Sequence, residues 1–417
     1  MRIGLLSYRS HPYSGGQGIY VKHLSKALND LGHEVSVLSG PPYPELDSAI
    51  ELVKIPSLGM FETDERAKLF SPKLFFRPLD LYEWLTVMTG GFPEPYTYGK
   101  RAYSYLKERK NSFDVILDNQ SLASSLLDIQ DIFPLAVTIH HPITKDHKLE
   151  MENAASWKEK LSSMRWHNFL PMQKKVAPKL KKIITVSNSS KKDIIEEFQV
   201  SSDNVEVILN GIDIKTFKPG PSELVKNNMI ITTASADIPL KGLKYLVMAM
   251  PEIIKNFPET KLTVIGKPPS KSEVSKLIDS LSLNDFIKFR SGISENEIVD
   301  LYHSSEIAVI PSLYEGFGFG AGEAMACGIP LITTHSGGLK DVVGDCALKI
   351  LPSSSQEIEK AVLKLFKDSD LKKELSLKGR ERMEAKFDWK LAASLYVKSL
   401  REVKQKFNNE HNKVQKT

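Results

Sequence analysis

SLYEGFGFGAGEAMACGIPLITT, running from Ser312 to Thr334, is the stretch from which the fold can be read. An apolar run (Ala308, Val309, Ile310) stops at Pro311, and glycines then fall at every second position from 316 to 322. A helical stretch is predicted to begin near Gly322, and a second apolar run follows from Leu331. Strand, glycine-rich turn, helix and strand make one βαβ unit, which closes right-handed onto a parallel sheet. Glu315 precedes the turn and Glu323 sits on the first turn of the predicted helix, eight positions on. Glycines let the backbone approach a ligand closely, and a helix start aims N–H groups at an anion. A plain βα turn, with Glu323 serving only as a charge near a helix N-terminus, fits the same residues.

Outward from this unit the pattern repeats. RIGLLS, HEVSVLS, FDVILDN, PLAVTIH, KKIITVS and VEVIL read as buried parallel strands, separated by stretches of helical spacing such as SKKDIIEEF. After about residue 213 the alternation restarts with MIITTAS, KLTVIG, DFIKFRS, EIAVIPS, IPLITT and ALKIL. Two successive sets predict an α/β protein of two Rossmann-like, doubly wound parallel-sheet domains, residues 1–212 and 213–386. Their junction lies in VILNGIDIKTFKPGP, where strand, turn and prolines crowd together. The segment from Ile55 to Thr97, rich in proline and aromatics, breaks the alternation and reads as an insertion over the N-domain face.

At 417 residues the chain is too long for one ordinary core. A net charge of +5 suits an anionic ligand but falls short of a dedicated nucleic-acid binder, so no nucleic-acid partner is expected. The two cysteines, Cys327 and Cys346, form no CxxC, and a disulfide scaffold and a structural zinc are both set aside. No apolar run approaches the roughly 20 residues that span a bilayer, and the first strand-like run begins at Ile3 with no secretory pattern before it. The reading is cytoplasmic.

The Glu315–Glu323 segment resembles the E-x7-E signature of retaining GT-B glycosyltransferases, in particular glycosyltransferase family 4, and the resemblance runs over nearly the whole chain. It implies two domains facing an interdomain cleft, with the run from Phe387 crossing back to the N-domain and a frayed tail, residues 387–417 in all. It implies transfer of a hexosyl group from a UDP- or GDP-sugar to a glycan, lipid or small-molecule acceptor, without a metal or other cofactor. By resemblance Glu315 lies beside the donor sugar, Glu323 holds the ribose hydroxyls, and Phe317, Gly318 and Phe319 offer backbone contacts. Gly15 and Gly16, in SGGQGIYVKHLSKAL, match the loop that faces the donor diphosphate; as a bare pattern that loop lacks the GxGxxG spacing of a dinucleotide site. Lys241, in ASADIPLKGLKYL, matches a cation on the leaving diphosphate. Ser235 stands where the family has a second basic residue, which leaves one charge-assisted contact of about 1.5–3 kcal/mol unaccounted for.

His140 follows a buried strand and so reaches the carboxyl edge of the sheet; the family places a histidine there, and no such role extends to His141 or His147. Asp118 and Asn119 end the preceding strand, where an acceptor contact and a turn cap are equally open. Ser187 or Ser189 is expected to cap a helix, and Asp368-Ser369-Asp370 is read as a loop rather than a metal motif. Across 153–182, Trp157, Met164, Trp166, Phe169 and Leu170 mingle with lysines. That mixture fits a helix packing on the N-domain, or peripheral contact with the inner face of an anionic membrane. Two rivals share the architecture: an epimerase or glycan phosphorylase, and a nucleotide-sugar-binding protein without catalysis, the latter favoured by Ser235.

Overall fold

Short β-branched runs with no polar interruption become strands buried on both faces. The computed structural model describes residues 1–12, 16–154, 156–234, 238–268 and 272–414. In a first unit, Met1–Ile208 with the chain from Ala392 onward, seven strands lie in chain order: β1 (Arg2–Ser7), β2 (Glu34–Ser39), β3 (Glu51–Lys54), β4 (Val115–Asn119), β5 (Leu135–Ile139), β6 (Ile183–Thr185) and β7 (Val205–Val207). Their order across the sheet is β3-β2-β1-β4-β5-β6-β7, all parallel. A second unit, Leu209–Leu391, holds β8 (Met229–Thr232), β9 (Lys261–Ile265), β10 (Ile287–Arg290), β11 (Ile307–Ile310), β12 (Leu331–Thr334) and β13 (Leu348–Ile350). These six are also parallel, in the order β10-β9-β8-β11-β12-β13. Each unit is thus a doubly wound α/β layer built on its own core, Leu38, Ile116, Val137 and Phe133 in the first, Ile230, Leu246, Val309 and Ile332 in the second.

β3 was not anticipated. It is an edge strand of four residues, ELVK, with no fully buried position, so it lacks the continuous apolar run that marks its neighbours. The segment after it does interrupt the alternation: two 3-10 turns (Arg66–Leu69, Pro72–Phe76) and the helix Pro78–Met88 precede the helix Glu94–Lys107. Ser187 caps its helix by accepting from the Ser190 N–H. The Asp368 triplet is not a loop. Asp368 is the N-cap of Ser369–Lys386, its carboxylate accepting from the Leu371 N–H.

The last helix, Trp389–Val414, joins the first unit from Ala392. Ala393, Tyr396 and Leu400, spaced three and four apart on one face, are fully buried. The Tyr396 hydroxyl accepts from the Tyr20 hydroxyl (3.1 Å) and shares a hydrogen bond with Thr138 Oγ1 (3.3 Å), and Lys404 meets Asp114 at 3.1 Å.

Candidate active site

In the second sheet the strand order reverses between β8 and β11, so the loops leaving their carboxyl ends diverge and open a crevice. The loop after β8 ends in a 3-10 turn, Pro239–Lys241, and then Gly242 at φ +69°. A Cβ on Gly242 would lie 2.1 Å from the Pro311 carbonyl oxygen, and Leu313 N–H donates to the Leu240 carbonyl at 2.7 Å. Only glycine permits this approach of the two loops. It brings Lys241 Nζ to 2.6 Å from Glu315 Oε1, which also accepts from Ser312 Oγ at 2.9 Å.

Glu315 is fixed from its other side by a turn that sequence reasoning passed over. After β12, Gly338 N–H donates to the Glu315 carbonyl at 2.7 Å, and a Cβ on Gly337 or Gly338 would strike the backbone of residues 315 and 316 at 2.1–2.2 Å. Adjacent glycines following a strand were the available signal.

The helix after the glycine turn runs Phe319–Ala326, with Gly318 as N-cap at φ +107°. It starts three residues before the expected Gly322, so Glu323 lies in its second turn, not its first. Its opening amides have no partner a turn earlier and face the crevice end of the strands. Phe317 and Phe319 pack edge-on at 5.0 Å, and the Phe317 ring is buried beside Phe387. What these positions offer a ligand is backbone. Burial, and next the neighbouring Glu295, push the Glu323 carboxyl up to about 7, while Tyr302 and Lys241 pull it down. Tyr302, fully buried, donates its hydroxyl to the Gly320 carbonyl at 3.1 Å and was also missed in the sequence.

In the first sheet the reversal falls between β1 and β4. Asn119, at the end of β4, donates through Nδ2 to Ser7 Oγ (3.2 Å), which turns its Oδ1 toward His140 Nε2 (2.7 Å). Because Oδ1 can only accept, Nε2 carries the proton and Nδ1 the lone pair. Burial, followed by His141, lowers His140 to about 3, so the ring is neutral. The ring lies edge-on to Tyr20 at 4.7 Å, and the His140 backbone N–H donates to Gln120 Oε1 at 2.7 Å. Asp118 is fully buried and accepts from the Ser121 N–H (2.9 Å) and hydroxyl (2.6 Å). Of its two readings the structure supports the turn cap, and Asn119 is a positioning residue for His140. Gly16 opens the helix Gly16–Asp30, and a Cβ on Gly18 would lie 2.1 Å from the His11 carbonyl oxygen. Gly15 and Ser235 lie outside the described residues.

The basic aromatic stretch divides. Phe169 and Leu170 join the core, while Trp157, Met164 and Trp166 are exposed. Among the described residues no helix is long and apolar enough to cross a membrane, and no group of three metal-ligating side chains could hold an ion.

Two doubly wound parallel sheets, the second with paired glutamates around a glycine-rich helix start and a lysine across the switch point, define a GT-B glycosyltransferase. Residues 14–216 match the family profile described as Glycosyltransferase Family 4, and residues 215–382 that described as Glycosyl transferases group 1. The chain is 40% identical to an MMP alpha-(1->4)-mannosyltransferase of Mycolicibacterium hassiacum, over 95% of this chain and 97% of that protein. It is 27% identical to a glycogen synthase of Mycobacterium tuberculosis, over 94% and 93%. Among solved structures it is similar to sucrose-phosphate synthase from Thermosynechococcus elongatus (TM-score 0.73, 21% identity, 96% and 98% covered). It is also similar to an Anabaena protein in complex with UDP and glucose (TM-score 0.68, 18% identity, 96% and 100% covered). The chain belongs to glycosyltransferase family 4.

Proposed function

We propose that this enzyme transfers a hexosyl group, with mannose favoured, from a UDP- or GDP-sugar to a glycan, lipid or small-molecule acceptor, with retention at the anomeric carbon and without a metal. The observation that carries the reading is the Lys241–Glu315 contact across the switch point. It sets a cation beside the glycine-rich helix start, the combination a departing diphosphate needs. Glu315 orients the donor sugar and holds Lys241 in place. Glu323 accepts the ribose hydroxyls, and the backbone of Phe317, Gly318 and Phe319 faces the sugar and phosphates. The anomeric C–O bond breaks with its electron pair passing to the phosphate oxygen. The acceptor oxygen bonds the same face, and its proton passes to the leaving phosphate. His140, neutral, takes a hydrogen bond at Nδ1 rather than acting as an acid.

The relative's name supports mannose and an α product; GDP-mannose carries an α anomeric bond, so an α product is the retaining outcome. Two free cysteines fit a cytoplasmic enzyme. Peripheral contact with an anionic membrane is supported by the exposed aromatics of the first unit, Phe75, Phe76 and Trp157 among them.

The test is a thermal-shift and calorimetric comparison of GDP, UDP and ADP on the full chain. A ligand at 100 times its dissociation constant stabilises by about 2.7 kcal/mol, and GDP is expected to lead. Glu323→Ala should weaken the preferred nucleotide about tenfold or more, as loss of a charged hydrogen bond does. Unchanged affinity in that variant overturns the ribose assignment.

A further inference from the structure

β4 ends at Asn119, opposite Thr138 of β5, and the Gln120 N–H still donates to the Thr138 carbonyl at 2.9 Å. The backbone then leaves the sheet. Gln120 takes φ +54° and Leu122 φ +48°, left-handed values that crowd any residue with a Cβ. Asp118 holds the turn through Ser121, and Leu122 enters the core. β5 loses its backbone partner at this point, and a side chain takes over. Gln120 Oε1 accepts from the His140 backbone N–H at 2.7 Å, and Gln120 Nε2 donates to the His141 carbonyl at 2.9 Å. An N–H only donates and a carbonyl only accepts, so both ends of the amide are assigned. The amide adds one more rung to the β4–β5 ladder.

Glycine is the residue that a left-handed position favours, but glycine at 120 would leave both backbone groups without this rung. The glutamine is kept, 2% exposed, in a conformation that costs it, and strain of this kind collects where a side chain is used. Its use lies at the next strand end. Asn119 grips the ring of His140, Oδ1 to Nε2 at 2.7 Å, while Gln120 grips the backbone of the same residue. Two consecutive residues of β4 and its turn thus hold one histidine at both ends, and Tyr20 meets the ring edge-on at 4.7 Å. With the proton on Nε2, Nδ1 is the ring nitrogen that can accept. A backbone shift of about 0.5–1 Å would take Nε2 out of hydrogen-bond range of Asn119.

We propose that Gln120 is a positioning residue for the transfer, its side-chain amide holding the His140 backbone so that Nε2 stays on Asn119 and Nδ1 accepts a sugar hydroxyl. The inference rests on the transferase reading and on the place of His140 within it. It deepens that reading by naming the group that sets the histidine.

The test compares Gln120→Gly, which relieves the left-handed strain and deletes the amide, with Gln120→Met, which keeps the shape. Each is made alone and together with His140→Ala. Turnover is read as nucleoside diphosphate release from GDP-mannose, or from UDP-glucose if UDP binds more tightly than GDP, in water alone and with methyl α-D-mannopyranoside added. Both single variants are expected to keep wild-type nucleoside diphosphate affinity and to lower kcat about 10–10²-fold, the cost of a small misplacement. With His140→Ala present, neither should lower kcat more than about twofold further, because the group that Gln120 positions is gone. A fall in both assays puts the hydroxyl on the donor sugar, and a fall with the glycoside alone puts it on the acceptor. Long-range proton–nitrogen NMR of the imidazoles needs no turnover. His140 is expected as a single Nε2–H tautomer in the wild type and as a mixture of tautomers in Gln120→Gly. Wild-type kcat in both single variants, an equal loss with and without the His140 ring, or an unchanged tautomer in Gln120→Gly each overturns the positioning role. A wild-type chain that neither binds a nucleoside diphosphate nor releases one sinks the transferase reading, and the tautomer then still decides whether Gln120 holds the ring.

Discussion

Lys241 and Glu315 stand 74 positions apart in the chain and 2.6 Å apart in space. Each was legible alone, the glutamate from its place before a glycine turn and the lysine from its odd position at a positive helix start. Their contact was not, because it depends on β8 lying beside β11, and strand order is not written in either segment. The same reason hid Gly337, Gly338 and Tyr302, which act on the site through backbone approaches from other strands and helices. His140 was read correctly as a residue at a strand end, but its tautomer and neutrality come from Asn119 and Ser7, which only the folded sheet assembles. For Lys241 the consequence is kinetic. Charge grows on the phosphate as the anomeric bond breaks, so the ammonium matters more in the transition state than in the ground state. Lys241→Ala is expected to lower kcat by about 10²–10³, with a smaller change in the donor KM, in steady-state assays with GDP-mannose or whichever donor leads the screen. Lys241→Arg should keep part of the rate, since a planar fork replaces a point charge. Normal turnover by Lys241→Ala places the diphosphate elsewhere.

At the scale of elements, twelve of the thirteen strands among the described residues stand out in the sequence, most of them as apolar runs buried on both faces, with β7, β10 and β13 each broken by a charged residue. β3 escaped because an edge strand of four half-exposed residues has no such run. The start of the Phe319–Ala326 helix was misjudged because glycine disfavours helix, whereas here Gly320 and Gly322 are required for closeness. A Cβ at 320 would lie 2.1 Å from Thr233 Oγ1, and one at 322 would lie 2.6 Å from Ile212 Cδ1. The inserted segment carries more than its composition shows. Phe75, Phe76, Tyr82, Leu85 and Met88 are exposed there, Phe76 at 89%, and Trp157, Leu161 and Met164 are exposed along the helix Trp157–Trp166. The two stretches are tied by Arg165, which donates to the Thr89 carbonyl at 2.9 Å, and by Phe61 against Trp166 at 5.6 Å. Arg66, Lys68, Lys73 and Arg77 lie in the first stretch and Lys158 and Lys160 in the second. Exposed aromatics among basic side chains suit an anionic lipid surface. The full chain is therefore expected to co-sediment with vesicles containing phosphatidylglycerol and not with pure phosphatidylcholine. Phe75→Ser with Phe76→Ser should remove most of that binding at unchanged Tm. Equal sedimentation by this double variant overturns the membrane contact.

At the scale of the whole molecule, the chain does not finish its first unit until its last helix. The core of Met1–Ile208 is closed by residues nearly two hundred positions further on. Tyr396 reaches Tyr20 and Thr138, Leu400 is fully buried, and Lys181 meets Glu410 at 2.6 Å. The contacts are long-range, so forming them carries a loop-closure cost that only a well-buried helix face offsets. Two substitutions measure that face. Leu400→Ala removes a buried side chain and leaves a cavity, and it should destabilise by about 2–5 kcal/mol. Tyr396→Phe keeps the ring and deletes one hydroxyl from a three-member cluster, leaving Tyr20 and Thr138 to satisfy each other at 2.9 Å, so it should cost only about 0.5–1.5 kcal/mol. Urea titration gives the magnitudes, and amide hydrogen exchange gives their place. Lost protection is expected in β1, β4 and β5 of the first sheet, while β8, β11 and β12 of the second keep theirs. Equal loss in both sheets shows that the helix stabilises the molecule as one cooperative body. A Leu400→Ala change below about 1 kcal/mol, under the range for buried leucines, shows that the face it covers is closed by something else.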